Sequence, residues 1–382
     1  MGKANKIFSR NLTQVSKQIL LITIFSPMDH DFTSHLMNWH FNDNSRQMPW
    51  KGIKDPYKIW LSEIILQQTR VEQGWVYYEK FIKTYPSIAH LAKAKDGDVF
   101  KLWEGLGYYN RCKNLLETAR KIVSEFHGEF PKSYETLLTL KGIGPYTAAA
   151  IASFAFQLPY AVVDGNVYRV LSRYFGTQIP IDSTAGKQHF QQQAAQLLYK
   201  SDPAAFNQAI MDFGATVCKP FTPDCIECPL HRHCKAFKDV TVNQLPVKEK
   251  RLTKKKRNFH YFIFEYKQKL FVQKRIQKDI WENLYEFYLL ESDDTINWNQ
   301  TIILDFLKSQ LGIQAAIIVN QSDQYTQQLT HQQIKARFIR VELIEMPESF
   351  KKIDWYKKQK IAELAFPKII NDWLSTTDLF NH

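Results

Sequence analysis

Four of the chain's five cysteines, Cys218, Cys225, Cys228 and Cys234, follow the spacing C-x6-C-x2-C-x5-C. Thiolates this close together, with no histidine pair at finger-like distances, suit a soft metal centre, either an iron–sulfur cluster or zinc. His231 and His233 sit inside the loop, but four thiolates already complete a tetrahedral set, so both read as unligated surface residues. Lys219, Arg232 and Lys235 give the same stretch a positive charge that could meet phosphates. Cys112 stands alone, and such usage does not describe a secreted disulfide scaffold.

A second group of residues could do acid–base work. Ser62-Glu63-Ile64-Ile65-Leu66-Gln67-Gln68-Thr69 reads as helix, with Glu63 and Gln67 on one face at i, i+4. Alone, Glu63 would be a solvated helix residue. Its apolar neighbours Ile64, Ile65 and Leu66 turn it partly inward, where an unpaired carboxylate is costly. Asp164, in Val163-Asp164-Gly165-Asn166, stands where a helix begins and by itself reads as an N-cap. Between the two lies Leu140-Lys141-Gly142-Ile143-Gly144-Pro145-Tyr146-Thr147. Gly142 and Gly144 allow a tight turn whose exposed amides can hold a phosphate at the next helix N-terminus. As an isolated G-x-G it would be an ordinary helix connection.

Taken in chain order, these motifs resemble the endonuclease III superfamily of DNA glycosylases, and within it the MutY adenine DNA glycosylases. The turn is similar to that superfamily's helix–hairpin–helix, with Lys141 where proline is usual, and the cysteine spacing is similar to its iron–sulfur loop. The resemblance implies a 4Fe-4S cluster on Cys218, Cys225, Cys228 and Cys234 as a structural and DNA-binding element. Bifunctional relatives carry a Schiff-base lysine where Tyr146 stands, and tyrosine cannot form that adduct. A monofunctional glycosylase is therefore implied. Glu63 would protonate the departing adenine and later activate water, for which burial must raise its pKa. Asp164 would stabilise the cationic sugar or form a transient adduct, with Tyr146 and Asn166 positioning the pair. The target base must leave the stack. Gln68 and Tyr108, in Leu106-Gly107-Tyr108-Tyr109, match residues that fill or wedge the duplex. Arg46 and Trp50, with Pro49, match the family's N-terminal pocket segment.

The elements that must carry these groups change character along the chain. Helical spacing of apolar residues covers Pro56–Arg70, Arg111–Phe126, Ala148–Phe156, Val167–Phe175 and Ala205–Val217, without sustained strand alternation. Residues 238–258 contain Pro246 and a basic run from Lys248 to Arg257, expected as a linker and possible DNA contact. Beyond it, Phe259–Tyr266, Leu270–Lys274, Tyr285–Leu290, Ala315–Asn320 and Arg337–Ile344 read as strands, and Gln300–Leu311 and Phe366–Leu374 as helices. The expected organisation is an N-terminal extension (1–28), a mainly α helix–hairpin–helix domain (29–237), the linker (238–258) and an α+β domain (259–382). The last resembles the Nudix-like domain with which MutY proteins read 8-oxoguanine, without the acidic helix of Nudix hydrolases. Its Phe-Ser-His element corresponds to Leu329-Thr330-His331, with leucine in place of the ring.

Bulk properties agree with this assignment. Fifty Lys and Arg against 38 Asp and Glu give a formal net charge of +12, which favours a polyanion partner. No apolar run approaches the roughly 20 residues that cross a bilayer. Ile19–Phe25 follows a basic stretch, but it is short and lacks a cleavage site, so translation from Met28 or an extension is expected instead. The chain is expected to be a cytoplasmic, nucleoid-associated monomer acting on double-stranded DNA that contains an adenine mispair. The rivals are a related glycosylase with another base specificity and a non-catalytic iron–sulfur DNA-binding protein.

Overall fold

The computed structural model describes residues 27–249, 253–351 and 353–380. The apolar run Ile19–Phe25 and nearly all of the expected extension lie outside them, as do Lys250 and Arg251 of the basic run. Contacts group the chain into two units: residues 1–47 with 157–249, and residues 48–156 with 250–382. The helices expected to form one domain thus contribute to both units.

The first unit is helical. Its principal helices are Pro27–Asn42, Gly165–Phe175, Thr184–Leu197 and Pro203–Thr216. Side chains set their ends. Asp164, Ser183 and Asp202 each accept a backbone N–H at an N-cap, Pro203 occupies the first turn, and Gly176 closes Gly165–Phe175 in a left-handed conformation. Phe32, Leu36, Val167, Leu171, Phe190, Ile210 and Phe213 fill the core. Gly214 permits a close helix crossing, since a Cβ there would come within 2.7 Å of Asn166 Cβ.

The second unit combines helices Pro56–Leu66, Val71–Thr84, Asn110–Glu125 and Pro145–Phe156, with shorter ones between, and a mixed sheet. Pro56–Leu66 starts on Asp55, whose carboxylate accepts from Tyr57 N at 2.9 Å, and it buries Ile59, Trp60, Leu61, Ile64 and Ile65. The strands are β1 (Lys255–Tyr266), β2 (Lys269–Phe271), β3 (Gln273–Lys274), β4 (Tyr285–Glu286), β5 (Tyr288–Ser292), β6 (Ala316–Gln321), β7 (Tyr325–Gln328), β8 (Gln332–Leu343) and β9 (Trp355–Lys357). The main sheet runs β6-β8-β1-β2-β9, with β5 also on β1 and β7 on β8. β1 and β8 are parallel, in register from Lys255↔Gln332 to Glu265↔Glu342. Helix Gln300–Leu311 covers one face through Ile303 and Leu307, against Phe262, Phe264 and Val341.

The helices fall where apolar periodicity puts them, whereas several strands differ. β1 begins at Lys255, inside the stretch expected as linker, because pairing with β8 extends the ladder into its polar start. Arg257 is correspondingly buried, held by Asp279 and Glu291 through bonds of 2.6–3.0 Å, and is thus committed within the fold instead of facing a DNA backbone. The expected strand Tyr285–Leu290 divides at Phe287, which turns into an aromatic cluster with Phe366 and Trp373. The short β7 and β9 carry too little alternation to be read from sequence. Among the described residues, no helix is long and apolar enough to cross a membrane.

Candidate active site and nucleic-acid interface

In the second unit, helix Pro56–Leu66 presents Glu63 at 8% exposure within an otherwise apolar run. This carboxyl is largely withdrawn from water, as the sequence suggested. Gln67 caps the helix, and its amide lies 3.4 Å from the Thr147 hydroxyl on helix Pro145–Phe156. Tyr146, on that helix's first turn, is half-buried. Helix packing therefore brings Glu63, Gln67 and the Tyr146–Thr147 turn into one neighbourhood.

In the first unit, Asp164 is the N-cap that its position suggested, and more. One carboxylate oxygen accepts from Asn166 N and Val167 N, each at 2.8 Å, while the other accepts from the Asn166 side-chain amide at 2.7 Å. Burial pushes the carboxyl above its ordinary value, while these hydrogen bonds and Arg169 pull it back towards ionisation. Asn166 is fixed in turn: Arg169 donates to its carbonyl at 2.8 Å, and also to Gly214 O at 2.7 Å and Cys218 O at 2.8 Å. Asp164 is thus a buried carboxyl fixed by three hydrogen bonds, and its amide partner is clamped from behind.

The four clustered cysteines line a single cavity of about 30 Å³ together with Arg173 and His231. Burial pushes the Cys228 thiol up to about 12, and it raises Cys225 and Cys234 as well, with neighbouring thiols adding to each shift. Four soft donors around one enclosed space, disfavoured as bare thiolates, suit a metal centre that would supply compensating positive charge. Among the described residues, no group of three His, Cys, Asp or Glu is arranged to hold a single ion. Arg173 ties the loop down, donating to Lys219 O at 2.7 Å and approaching Cys218 Sγ at 3.4 Å. His231 shares a 2.7 Å hydrogen bond with Cys228 O, and His233 lies 3.5 Å from Asp31.

The glycine turn joins helices in the second unit. Gly142 adopts a φ of +77°, and a Cβ there would meet Asn114 at 2.8 Å. Gly144 needs no such conformation; open space around it leaves its backbone accessible. Lys141 pairs with Glu117, so its charge is partly neutralised instead of standing free beside the turn.

Gln68 and Tyr108 are both exposed and both adopt left-handed backbone, with φ of 60° and 47°. The Tyr108 hydroxyl hydrogen-bonds to Thr330. A cleft of about 610 Å³ runs beside Tyr108, lined also by Gly107, Lys278, Trp281, Leu329, Thr330 and His331. The Leu329-Thr330-His331 element forms the turn from β7 to β8, closed by Leu329 N to Gln332 O at 2.8 Å. Of the two residues expected in the pocket segment, Trp50 is buried and Arg46 half-buried. Trp50 is 9% exposed, edge-on to Tyr78 and Trp75, because its ring has more to gain in that aromatic core. Arg46 pairs at 2.9 Å with the fully buried Asp212, which also accepts from Asn44.

Sequence reasoning missed the arginines that organise these groups: Arg111, Arg169 and Arg173. Arg169 stands one helical turn beyond Asn166, and that spacing is the only signal that could have pointed to it.

Residues 61–196 match the HhH-GPD superfamily of base excision DNA repair proteins, and residues 260–376 match the NUDIX domain. An adenine DNA glycosylase of Buchnera aphidicola subsp. Baizongia pistaciae is 32% identical over 360 residues, covering 92% of this chain and 97% of that protein. The mouse adenine DNA glycosylase is 41% identical over 223 residues, covering 56% of this chain and 43% of that protein. Among solved structures, a thermostable thymine-DNA glycosylase superimposes with a TM-score of 0.52 at 30% identity, covering 56% of this chain and 97% of that one.

Proposed function

The chain belongs to the adenine DNA glycosylase family, and from that membership we propose a monofunctional enzyme that removes adenine mispaired with 8-oxoguanine or guanine. It is a base excision repair glycosylase with a helix–hairpin–helix domain and a Nudix-like domain. The reading rests on the contrast between its two carboxyls. Glu63 is largely withdrawn from water and suits a proton donor, whereas Asp164 accepts three hydrogen bonds and suits an anion. Cleaving the N-glycosidic bond leaves cationic character on the sugar and negative charge on the base, so two unlike acids are wanted. Glu63 protonates the leaving adenine and then activates water. Asp164 stabilises the sugar cation, with Asn166 positioning its carboxylate and Tyr146 standing in the neighbourhood of Glu63.

A tyrosine at 146 offers no amine for a Schiff base, which supports hydrolysis without strand cleavage. The cleft lined by Tyr108, Leu329, Thr330 and His331 supports recognition of the base opposite the adenine. The exposed turn at Gly142 and Gly144 supports phosphate binding, and Gln68 with Tyr108 supports filling of the vacated stack. Cys218, Cys225, Cys228 and Cys234 would hold a 4Fe-4S cluster, which would organise the loop so that Lys219, Arg232 and Lys235 could meet DNA phosphates. We place the enzyme as a monomer in the cytoplasm, at the nucleoid.

Glu63→Gln tests the acid assignment. Duplex binding should persist while excision falls by roughly 10²- to 10⁴-fold, the usual contribution of a general acid. Full excision by this variant would remove Glu63 from the chemistry.

A further inference from the structure

We propose that Arg111 is the positioning residue that sets both duplex wedges, Gln68 and Tyr108, by clamping the peptide planes immediately before them. The proposal rests on the reading of Gln68 and Tyr108 as DNA-wedging residues, and it deepens that reading.

The guanidinium is half-buried on helix Asn110–Glu125 and reaches two separate chain segments. Nη1 donates to Ile64 O at 2.7 Å, Ile65 O at 3.0 Å and Gln67 O at 2.5 Å. Nη2 donates to Leu106 O at 3.2 Å and Gly107 O at 3.3 Å. The first three are carbonyls at the end of helix Pro56–Leu66, where intrahelical partners run out and a cation is favoured. The same group lies 5.1 Å from the Trp103 ring centroid and 5.5 Å from that of Tyr108.

Two of these acceptors have a particular consequence. Gln67 O belongs to the planar peptide preceding Gln68, and Gly107 O to the one preceding Tyr108. Rotation about φ of a residue swings the preceding peptide plane against its own side chain. Gln68 and Tyr108 both have positive φ, a region that non-glycine residues leave unless something holds them there. One guanidinium holds the carbonyl of each relevant plane. It therefore fixes the direction in which both side chains leave the backbone, before any DNA is bound. A planar, five-donor fork can bridge two segments in this way; a lysine ammonium, a compact point charge, cannot.

The test compares full-length wild type with Arg111→Lys, which keeps the charge, and Arg111→Gln, which keeps a planar donor. Each is bound to a duplex with adenine opposite 8-oxoguanine and 2-aminopurine beside the adenine, whose fluorescence rises on unstacking. Single-turnover excision and affinity for an undamaged duplex are measured alongside. We expect both variants to bind undamaged duplex within twofold of wild type. Their excision rate constants should fall at least tenfold, with a matching loss of the fluorescence rise. Excision and fluorescence within twofold of wild type would overturn the role of Arg111 alone. So would a parallel loss of excision and undamaged-duplex affinity, which would mark general unfolding. No fluorescence rise with wild type, or an unchanged rise in Gln68→Ala and Tyr108→Ala, would overturn the wedge reading and the proposal with it.

Discussion

At the scale of residues, the site depends on how each carboxyl is held. Asp164 reads in the sequence as a helix cap, and it is one; the same hydrogen bonds that cap the helix also favour its ionised form. Its pKa is raised by burial and held down by Asn166 among others, which gives a pH prediction with a definite sign. If ionised Asp164 is required, excision fails as pH drops through a value above that of an ordinary aspartate. Asn166→Ala removes a bond that favours the anion, so the acid limb of the rate profile should move to higher pH. A hydrogen bond to a charged group contributes about 1.5–3 kcal/mol, so the plateau rate should also fall roughly tenfold or more. An unmoved acid limb in Asn166→Ala would separate Asn166 from Asp164 in function. Glu63 was legible because three apolar neighbours follow it. The clamps Arg111, Arg169 and Arg173 were not, since each acts on carbonyls that folding alone brings near.

Among the elements, helix ends were the legible part. Asp55-Pro56, Asp202-Pro203 and Gly176 mark starts and stops by local chemistry, and the structure uses each of them. Strand β1 escaped at its start because a ladder partner distant in sequence decides where pairing begins. The same strand carries His260, 2% exposed, whose ring accepts from Trp298 Nε1 at 2.9 Å and faces Ser292 Oγ at 3.0 Å. Burial, assisted by Arg337, lowers its pKa to about 4 from an ordinary 6.5. The unfolded chain therefore takes a proton that the folded chain refuses. Stability is complete above pH 6.5 and declines as pH falls towards 4, by up to about 3 kcal/mol. Thermal unfolding followed across that window should show the decline, and His260→Gln should flatten it. A midpoint equally sensitive in both proteins would point to other groups.

For the whole molecule, the excess of positive charge pointed to a polyanion, and the order of the motifs narrowed it to damaged DNA. Sequence character suggested a boundary between a helical half and a sheet-bearing half, and the family matches at 61–196 and 260–376 follow that division. Contacts group residues 48–156 with 250–382 instead, an arrangement that chain continuity cannot reveal. Part of the reason is visible in that unit. Tyr108 meets Thr330, Lys113 meets Glu282 at 2.8 Å, and Glu104 accepts from Phe366 N at 2.8 Å.

Removal of adenine by hydrolysis alone is tested by single-turnover reaction with duplexes containing adenine opposite 8-oxoguanine, guanine or cytosine. Free base is measured by chromatography, and strand scission is measured before and after alkali. The enzyme should release free adenine, fastest opposite 8-oxoguanine, with scission only after alkali. Scission without alkali would contradict the part assigned to Tyr146, and intact adenine in every duplex would rule out an adenine glycosylase.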